Sequence, residues 1–200
     1  MPWQFSESDP VSVASIEAFY KAHTDLIEFL IENGQPTFAS DTTDNFRRSL
    51  VLAVASFFET EISAIVRALP ARHADGNAFL TALVDQKAVT RQYHGYFDWD
   101  KTNANKFFSM FGPEYKAACQ KKVEAEPDFQ AGVRAFLSLG DTRNRIAHLN
   151  YVEFTVDKTP NDIITEFRSA MKFVDYVRST LLPPKPPAPA DVDAPTHPAA

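Results

Sequence analysis

One cysteine, Cys119, stands in two hundred residues, so no intramolecular disulfide can form. That usage fits a reducing compartment, and the expected location is cytoplasmic. Cys119, carried on a helix with Tyr115 and Ala118, is expected to be inert packing. Glycine is scarce at six residues, and none sits in a phosphate-cradling loop pattern. Cys/His zinc spacing, a serine nucleophile motif and internal repeats are missing too, so no metal and no cofactor is expected. The longest apolar stretch, Ser49 to Phe58, is too short to cross a bilayer and is closed by Glu59 and Glu61, so no membrane partner is expected. The start, Trp3-Gln4-Phe5-Ser6-Glu7, has neither a basic region nor an apolar run and does not read as a signal peptide. Positive charge is in deficit, with a net −6. That argues against a bulk nucleic-acid binder, but a catalytic groove needs only local positive charge.

What is present is ordinary in bulk and unusual in one respect. Apolar residues make up 44% and charged residues 23%, while phenylalanine reaches 17. One domain with an aromatic-rich core is expected. The expected division is a flexible N-terminus over 1–8, a single helical domain over 9–182, and a tail over 183–200. Seven prolines fall within 183–198, so the tail is expected to be disordered or extended.

Apolar residues at three- and four-residue steps set out the helices. Val13, Ile16, Phe19, Tyr20, Leu26, Ile27, Leu30 and Ile31 predict a first helix, started by Asp9-Pro10 and stopped at Asn33-Gly34 followed by Pro36. His23 lies on it alone and is expected to be partly exposed. A second helix, expected from Ser40-Asp41 to Leu69 before Pro70, is apolar almost all round from Leu50 to Phe58. Glu59 interrupts that run. It is either an ion pair or solvated edge, or a group that orients a functional side chain. Arg47 and Arg48, just upstream, are surface charges or phosphate contacts.

Phe79, Leu80, Leu83 and Val84 mark a third helix. It fades into the aromatic-dense Arg91–Trp99 stretch, whose rings either anchor a loop to the core or stack on bases. Arg91, Tyr93 and His94 are its candidate RNA contacts. Thr102 is expected to cap a short helix through Phe107, Phe108 and Phe111, and a further helix runs to about Glu124. Pro127 opens a long helix through Phe129, Val133, Phe136, Leu137 and Gly140, a face that continues to Asn144 and Ala147. Residues 150–158 connect, with 151–156 alternating as a short strand would. Thr159-Pro160 opens the last helix, through Leu181.

The chemistry concentrates in Asp141-Thr142-Arg143-Asn144-Arg145-Ile146-Ala147-His148. An Arg-x4-His pair alone is uninformative: ten Arg and five His give about 0.25 such pairs by chance. Requiring Asn after the Arg lowers that to about 0.01. On a continuous helix the two residues are separated by about 140° and about 7.5 Å, so they flank a phosphate at a helix end or combine with a second copy of the pair. Arginine's planar fork matches phosphate oxygens, and histidine is the natural proton-transfer group near neutral pH. Asn144 can donate to a phosphate oxygen or hold the imidazole. RNA carries its own nucleophile, the 2′-hydroxyl, so this inventory fits metal-independent transesterification leaving a 2′,3′-cyclic phosphate. Arg145 is expected to face solvent or the groove rim.

Arg143, Asn144 and His148, with Ile146-Ala147 between, resemble the motif of the HEPN superfamily of small helical domains, many of which are ribonucleases. Ser56-Phe57-Phe58-Glu59 looks like that family's other recognisable helix. Trp99 to Gly112 is similar to the connecting segment of the RiboL-PSP-type group, and Leu149 stands where that group usually has Gly. The resemblance spans roughly residues 40–182. It implies an all-α, HEPN-like antiparallel helical bundle with extra short helices. It also implies a homodimer pairing two motifs, with Arg143, Asn144 and His148 catalytic and Glu59 and Arg145 supporting. Its further implication is an endoribonuclease toxin or phage-defence effector, under control of an antitoxin or other regulatory protein. The alternative is a non-catalytic HEPN module for dimerisation and protein binding, with the Pro-rich tail as a docking strip.

Overall fold

In the computed structural model, residues 12–149, 151 and 154–184 are described, and they contain helices and no strand. Ser12 starts the first helix, α1 (Val13–Glu32): its hydroxyl accepts the Ser15 amide while the Ser15 hydroxyl accepts the Ser12 N–H. This reciprocal cap satisfies two otherwise orphaned donors. The start expected at Asp9-Pro10 lies outside the described residues, as does the segment 1–8. Gly34, at φ +70°, closes the helix at the expected place.

The central helix, α2 (Pro36–His73), is longer at both ends than expected. It begins at Pro36, because a proline in the first turn lacks an N–H that would have been orphaned anyway. Pro70 lies inside the last turn, where its missing N–H costs one helical bond. The Pro70 carbonyl accepts the amides of Ala74 and Gly76 and ends the helix. By length and composition alone the most apolar window of α2 could cross a membrane; this departs from the expectation of no such stretch. Half of that window is buried inside the bundle, with Leu50, Val51, Val54, Ile62 and Ile65 at 0% exposure. It forms the spine on which the other helices pack.

The short helices α3 (Ala78–Val84), α4 (Asn105–Ser109) and α5 (Pro113–Ala125) follow, with a wide π-type turn over Asp85–Val89 and a 3-10 turn over Tyr93–Gly95. The first of these is capped by Asn77, whose side chain accepts the Phe79 and Leu80 amides. Thr102 caps nothing: α4 starts three residues later, and Asn103 accepts the Asn105 amide instead.

The last two helices, α6 (Pro127–His148) and α7 (Pro160–Leu181), form an antiparallel hairpin. Asp128 pairs with Lys172 at one end, and Lys158 joins Ser138 to Glu166 at the other. Gly132 lets the helices approach, since a Cβ there would sit 2.7 Å from the Ser169 carbonyl oxygen. Gly140 does not interrupt α6. Thr159 and Asp162 cap α7 reciprocally. Next to this hairpin, α2 runs parallel to α7, from Phe57 against Phe167 to His73 Nε2 at 2.7 Å from the Leu181 carbonyl. Hence α2 and α6 are antiparallel.

The expected aromatic core is present. Phe58, Phe107, Phe108, Phe136, Phe167 and Phe173 are all within 1% of full burial. Cys119 is buried, and burial pushes its thiol above the ordinary value. His23 is buried rather than partly exposed: its ring stacks on Phe46 at 3.6 Å and 9°. No strand forms among the described residues of 150–158; positions 150, 152 and 153 lie outside them, as do 185–200 of the expected tail.

Candidate functional site

The second half of α6 carries two stripes, one that stays in the core and one that emerges from it, and the site lies where the second emerges. Leu139, Thr142 and Ile146 stay buried on one side of α6. Gly140, Arg143, Asn144 and Ala147 share another stripe at helical spacing, and along it burial gives way from half-buried to exposed. Where the stripe leaves the core it meets the aromatic segment 93–99.

Trp99 makes that junction. Its ring lies where a side chain on residue 140 would be: a Cβ there would fall 2.0 and 2.3 Å from two indole carbons. The glycine thus accommodates an indole. Trp99 Nε1 donates to the His94 carbonyl at 2.9 Å. The segment is further pinned by Tyr93, Tyr96 and Phe97, all buried, and by the Tyr96 hydroxyl donating to the Ala88 carbonyl.

A small cavity of about 10 Å³ results, lined by Phe58, Tyr93, His94, Trp99, Arg143 and Asn144 among others. That is room for about one water-sized group. Arg143 Nη1 donates to Asn144 Oδ1 at 3.3 Å, and Arg143 Nη2 lies 3.9 Å from Glu59 Oε2. Glu59 therefore faces Arg143 at the outer limit of an ion pair and holds it only loosely. Tyr93 is 6% exposed, with its ring packed among His94, Tyr96, Phe97 and Trp99. Its faces are not free for a base; its hydroxyl makes no hydrogen bond to any described residue. Burial, then the nearby Glu59 carboxylate, push that phenol well above its ordinary value, while Arg143 pulls the other way. His94 is exposed, and its imidazole nitrogens are unbonded among the described residues.

His148 ends α6, exposed, one helical turn beyond Asn144. Its imidazole makes no hydrogen bond to a described residue, so it is not spent on the helix's own carbonyls. The chain behind it is clasped from both sides. Arg48 of α2 donates to the Phe154 carbonyl at 2.9 Å and lies over Tyr151, while the Arg145 guanidinium lies over the Phe154 ring at 5.1 Å. Arg145 is exposed as expected, but its charge is stacked on that ring.

The structure thus brings Glu59, Tyr93, His94, Arg143 and Asn144 together, with His148 at the adjoining helix end. It leaves others apart. Arg48 is engaged in the clasp, Arg47 pairs with Asp44 at 3.4 Å, and Arg91 does not line the cavity. Trp99 was not among the expected site residues; Gly140, one turn before Arg143, was the available signal. Among the described residues no three His, Cys, Asp or Glu side chains group as a metal set.

A family model described as RiboL-PSP-HEPN matches residues 17–182, which takes in α1 as well as the span from 40 onward. No curated protein and no solved structure matches.

Proposed function

The chain belongs to the RiboL-PSP-HEPN family, and on that footing we propose that it is a metal-independent endoribonuclease, cutting RNA by attack of the 2′-oxygen on the adjacent phosphorus. The observation that carries this reading is the pairing of a half-buried guanidinium with an unengaged imidazole. Arg143 stands at a cavity mouth beside Asn144, and exposed His148 stands one turn on.

In this reading Arg143 binds the non-bridging phosphate oxygens and stabilises the charge that builds on the phosphorane. Asn144 gives up its contact with Arg143 to donate its amide to the same phosphate. His148 moves a proton at either the 2′-oxygen or the 5′-oxygen. Glu59 steadies the guanidinium without tying it down, since 3.9 Å is long enough for an incoming phosphate to compete. The net charge of −6 leaves this cationic end to steer RNA locally.

We read the enzyme as a cytoplasmic homodimer that serves as a toxin or phage-defence effector, restrained by an antitoxin or other regulatory protein. A non-catalytic protein-binding module is the second reading. It is favoured by apolar side chains left in solvent, notably Phe29 and Phe38 on α1 and α2 and Phe79 at 87% exposure on α3.

Cleavage of mixed RNA in EDTA separates the two. The wild type should cut and leave 2′,3′-cyclic phosphate ends, and Arg143→Ala and His148→Ala should each lose at least about 100-fold. An inactive wild type, or cutting that survives both substitutions, favours the binding module.

A further inference from the structure

Transesterification of RNA needs two proton transfers. A base takes the 2′-hydroxyl proton as the 2′-oxygen bonds to phosphorus, and an acid protonates the 5′-oxygen as its bond to phosphorus breaks. One imidazole cannot easily serve both ends of the same phosphodiester in one step. The second group comes either from the motif of a partner copy or from another residue of the same chain.

Four of the five histidines fall among the described residues, and two of them are occupied. His23 is buried against Phe46, and His73 Nε2 bonds the Leu181 carbonyl at 2.7 Å. The two with unbonded imidazoles are His148 and His94. Of these, His94 lines the same cavity as Arg143 and Asn144.

Its position is built rather than accidental. Trp99 Nε1 holds the His94 carbonyl at 2.9 Å, and the Trp99 ring is seated on Gly140, three residues before Arg143 on the same helix. The His94 ring meets the buried Tyr93 ring edge-on, with centroids 5.7 Å apart. The backbone that carries the imidazole is thereby registered against the guanidinium. The charged and titratable groups around it are Glu59 from α2, Arg143 from α6 and Tyr93 from its own segment.

We propose that His94 is the second proton-transfer residue of the site, acting in the same chain as Arg143 and His148. This rests on the ribonuclease reading above. A phosphate held by Arg143 and Asn144 at the mouth of the cavity lies beside His94, a residue of the cavity wall, with His148 one turn further along α6. One imidazole enters neutral and accepts the 2′-proton; the other enters protonated and gives its proton to the 5′-oxygen. The pair ends with its protonation reversed and resets by exchange with water, so no co-reactant is required.

The test uses the full chain with RNA in EDTA. His94→Gln should lower kcat by at least about 100-fold with KM little changed. The wild-type bell-shaped pH–rate profile should lose one limb in His94→Gln and the other in His148→Gln. Mixed His94→Gln and His148→Gln chains should stay inactive, because every chain then lacks one imidazole. Circular dichroism of His94→Gln should match the wild type, as the side chain is exposed. The proposal is overturned if His94→Gln keeps the wild-type rate and both limbs, if the loss lies in KM with the bell intact, or if mixing restores cutting. A wild type that never cuts removes the ribonuclease reading, and this assignment with it; a wild type that cuts with His94 dispensable removes only the assignment.

Discussion

Replacing Gly140 by alanine sets two effects of similar size against each other, and the structure says which should prevail. In an ordinary exposed helix position the change stabilises by about 1 kcal/mol, because glycine is the weaker helix former. Here the new Cβ would lie 2.0 and 2.3 Å from carbons of the Trp99 ring, well inside contact distance. The indole must swing away or α6 must shift. Swinging gives up part of the ring contacts to Tyr93, Phe97 and Phe136 and the Nε1 bond to the His94 carbonyl. Aromatic contacts contribute about 0.5–1.5 kcal/mol each and such a bond about 1 kcal/mol. Overpacking of this kind costs typically about 1–3 kcal/mol. The helix gain offsets part of that, leaving a net loss of about 1–2 kcal/mol, or roughly 2–8 °C in Tm for a domain of this size.

Activity should suffer more than stability, because the displaced indole carries the His94 backbone with it. Thermal melts, Trp fluorescence and RNA cleavage should be read on Gly140→Ala, on Trp99→Leu and on the double variant. Removing the ring first should make the alanine harmless, giving a coupling energy of about 1–3 kcal/mol. Gly132→Ala is the control: its Cβ would press on the Ser169 carbonyl in α7, 2.7 Å away and remote from the cavity, so it should lower Tm while sparing the rate of the folded enzyme. A Gly140→Ala protein that is about 1 kcal/mol more stable, with unchanged fluorescence and cleavage, would refute the claim that Trp99 registers the site on α6.

Two further measurements probe the neighbourhood. Glu59→Gln should change stability by less than about 1 kcal/mol, because a 3.9 Å pair between partly exposed groups is weak; kcat should nevertheless fall about 10-fold as Arg143 loses its guide, and a Tm drop beyond roughly 5 °C would contradict the loose pairing. His23, stacked on Phe46, has its pKa lowered by burial, so on acidification the unfolded chain takes up the proton first. Stability is then full above about pH 6.5 and declines as the pH falls below it, and His23→Phe should flatten that decline in urea melts taken between about pH 7 and 5.

Helix identities were legible because apolar residues recur at helical steps over long stretches, and the caps at Asn33-Gly34, Pro127 and Thr159-Pro160 have a definite local chemistry. Boundaries misread where one proline admits two roles. Pro36 reads as a stop after Gly34 yet opens α2, and Pro70 reads as a stop yet sits in its last turn. The end of α3 was not legible, nor was the fate of its apolar face: Phe79, Leu80 and Leu83 repeat as a core stripe would, yet they point outward. In the site, Glu59 could be marked from the chain alone, because a carboxylate in an apolar run needs a cation, but the choice between Arg143 and His148 stayed open until the structure set it against Arg143. The role of 91–99 could not, since anchoring and base stacking demand the same residues. The structure divides them within one segment: Tyr93, Tyr96 and Phe97 are turned into the core while His94 is left at the cavity.

That division explains why the functional end of α6 needs a non-helical neighbour. A helix packed on all sides cannot present a guanidinium to a substrate, and one exposed on all sides cannot hold it still. α6 avoids both by keeping Leu139, Thr142 and Ile146 buried while its other stripe emerges past Trp99. The indole terminates the core at Gly140, so the next two positions on that stripe, Arg143 and Asn144, are half-buried. Their α-carbons are fixed by the bundle, and their polar tips reach the cavity. His148, a further turn out, retains exposure on a helix end that Arg48 and Arg145 brace by gripping the chain behind it. Loosening either brace should therefore blunt His148 without moving Arg143, so Arg48→Ala should depress kcat while leaving RNA affinity nearly unchanged. An equal loss in affinity would instead assign Arg48 to phosphate binding.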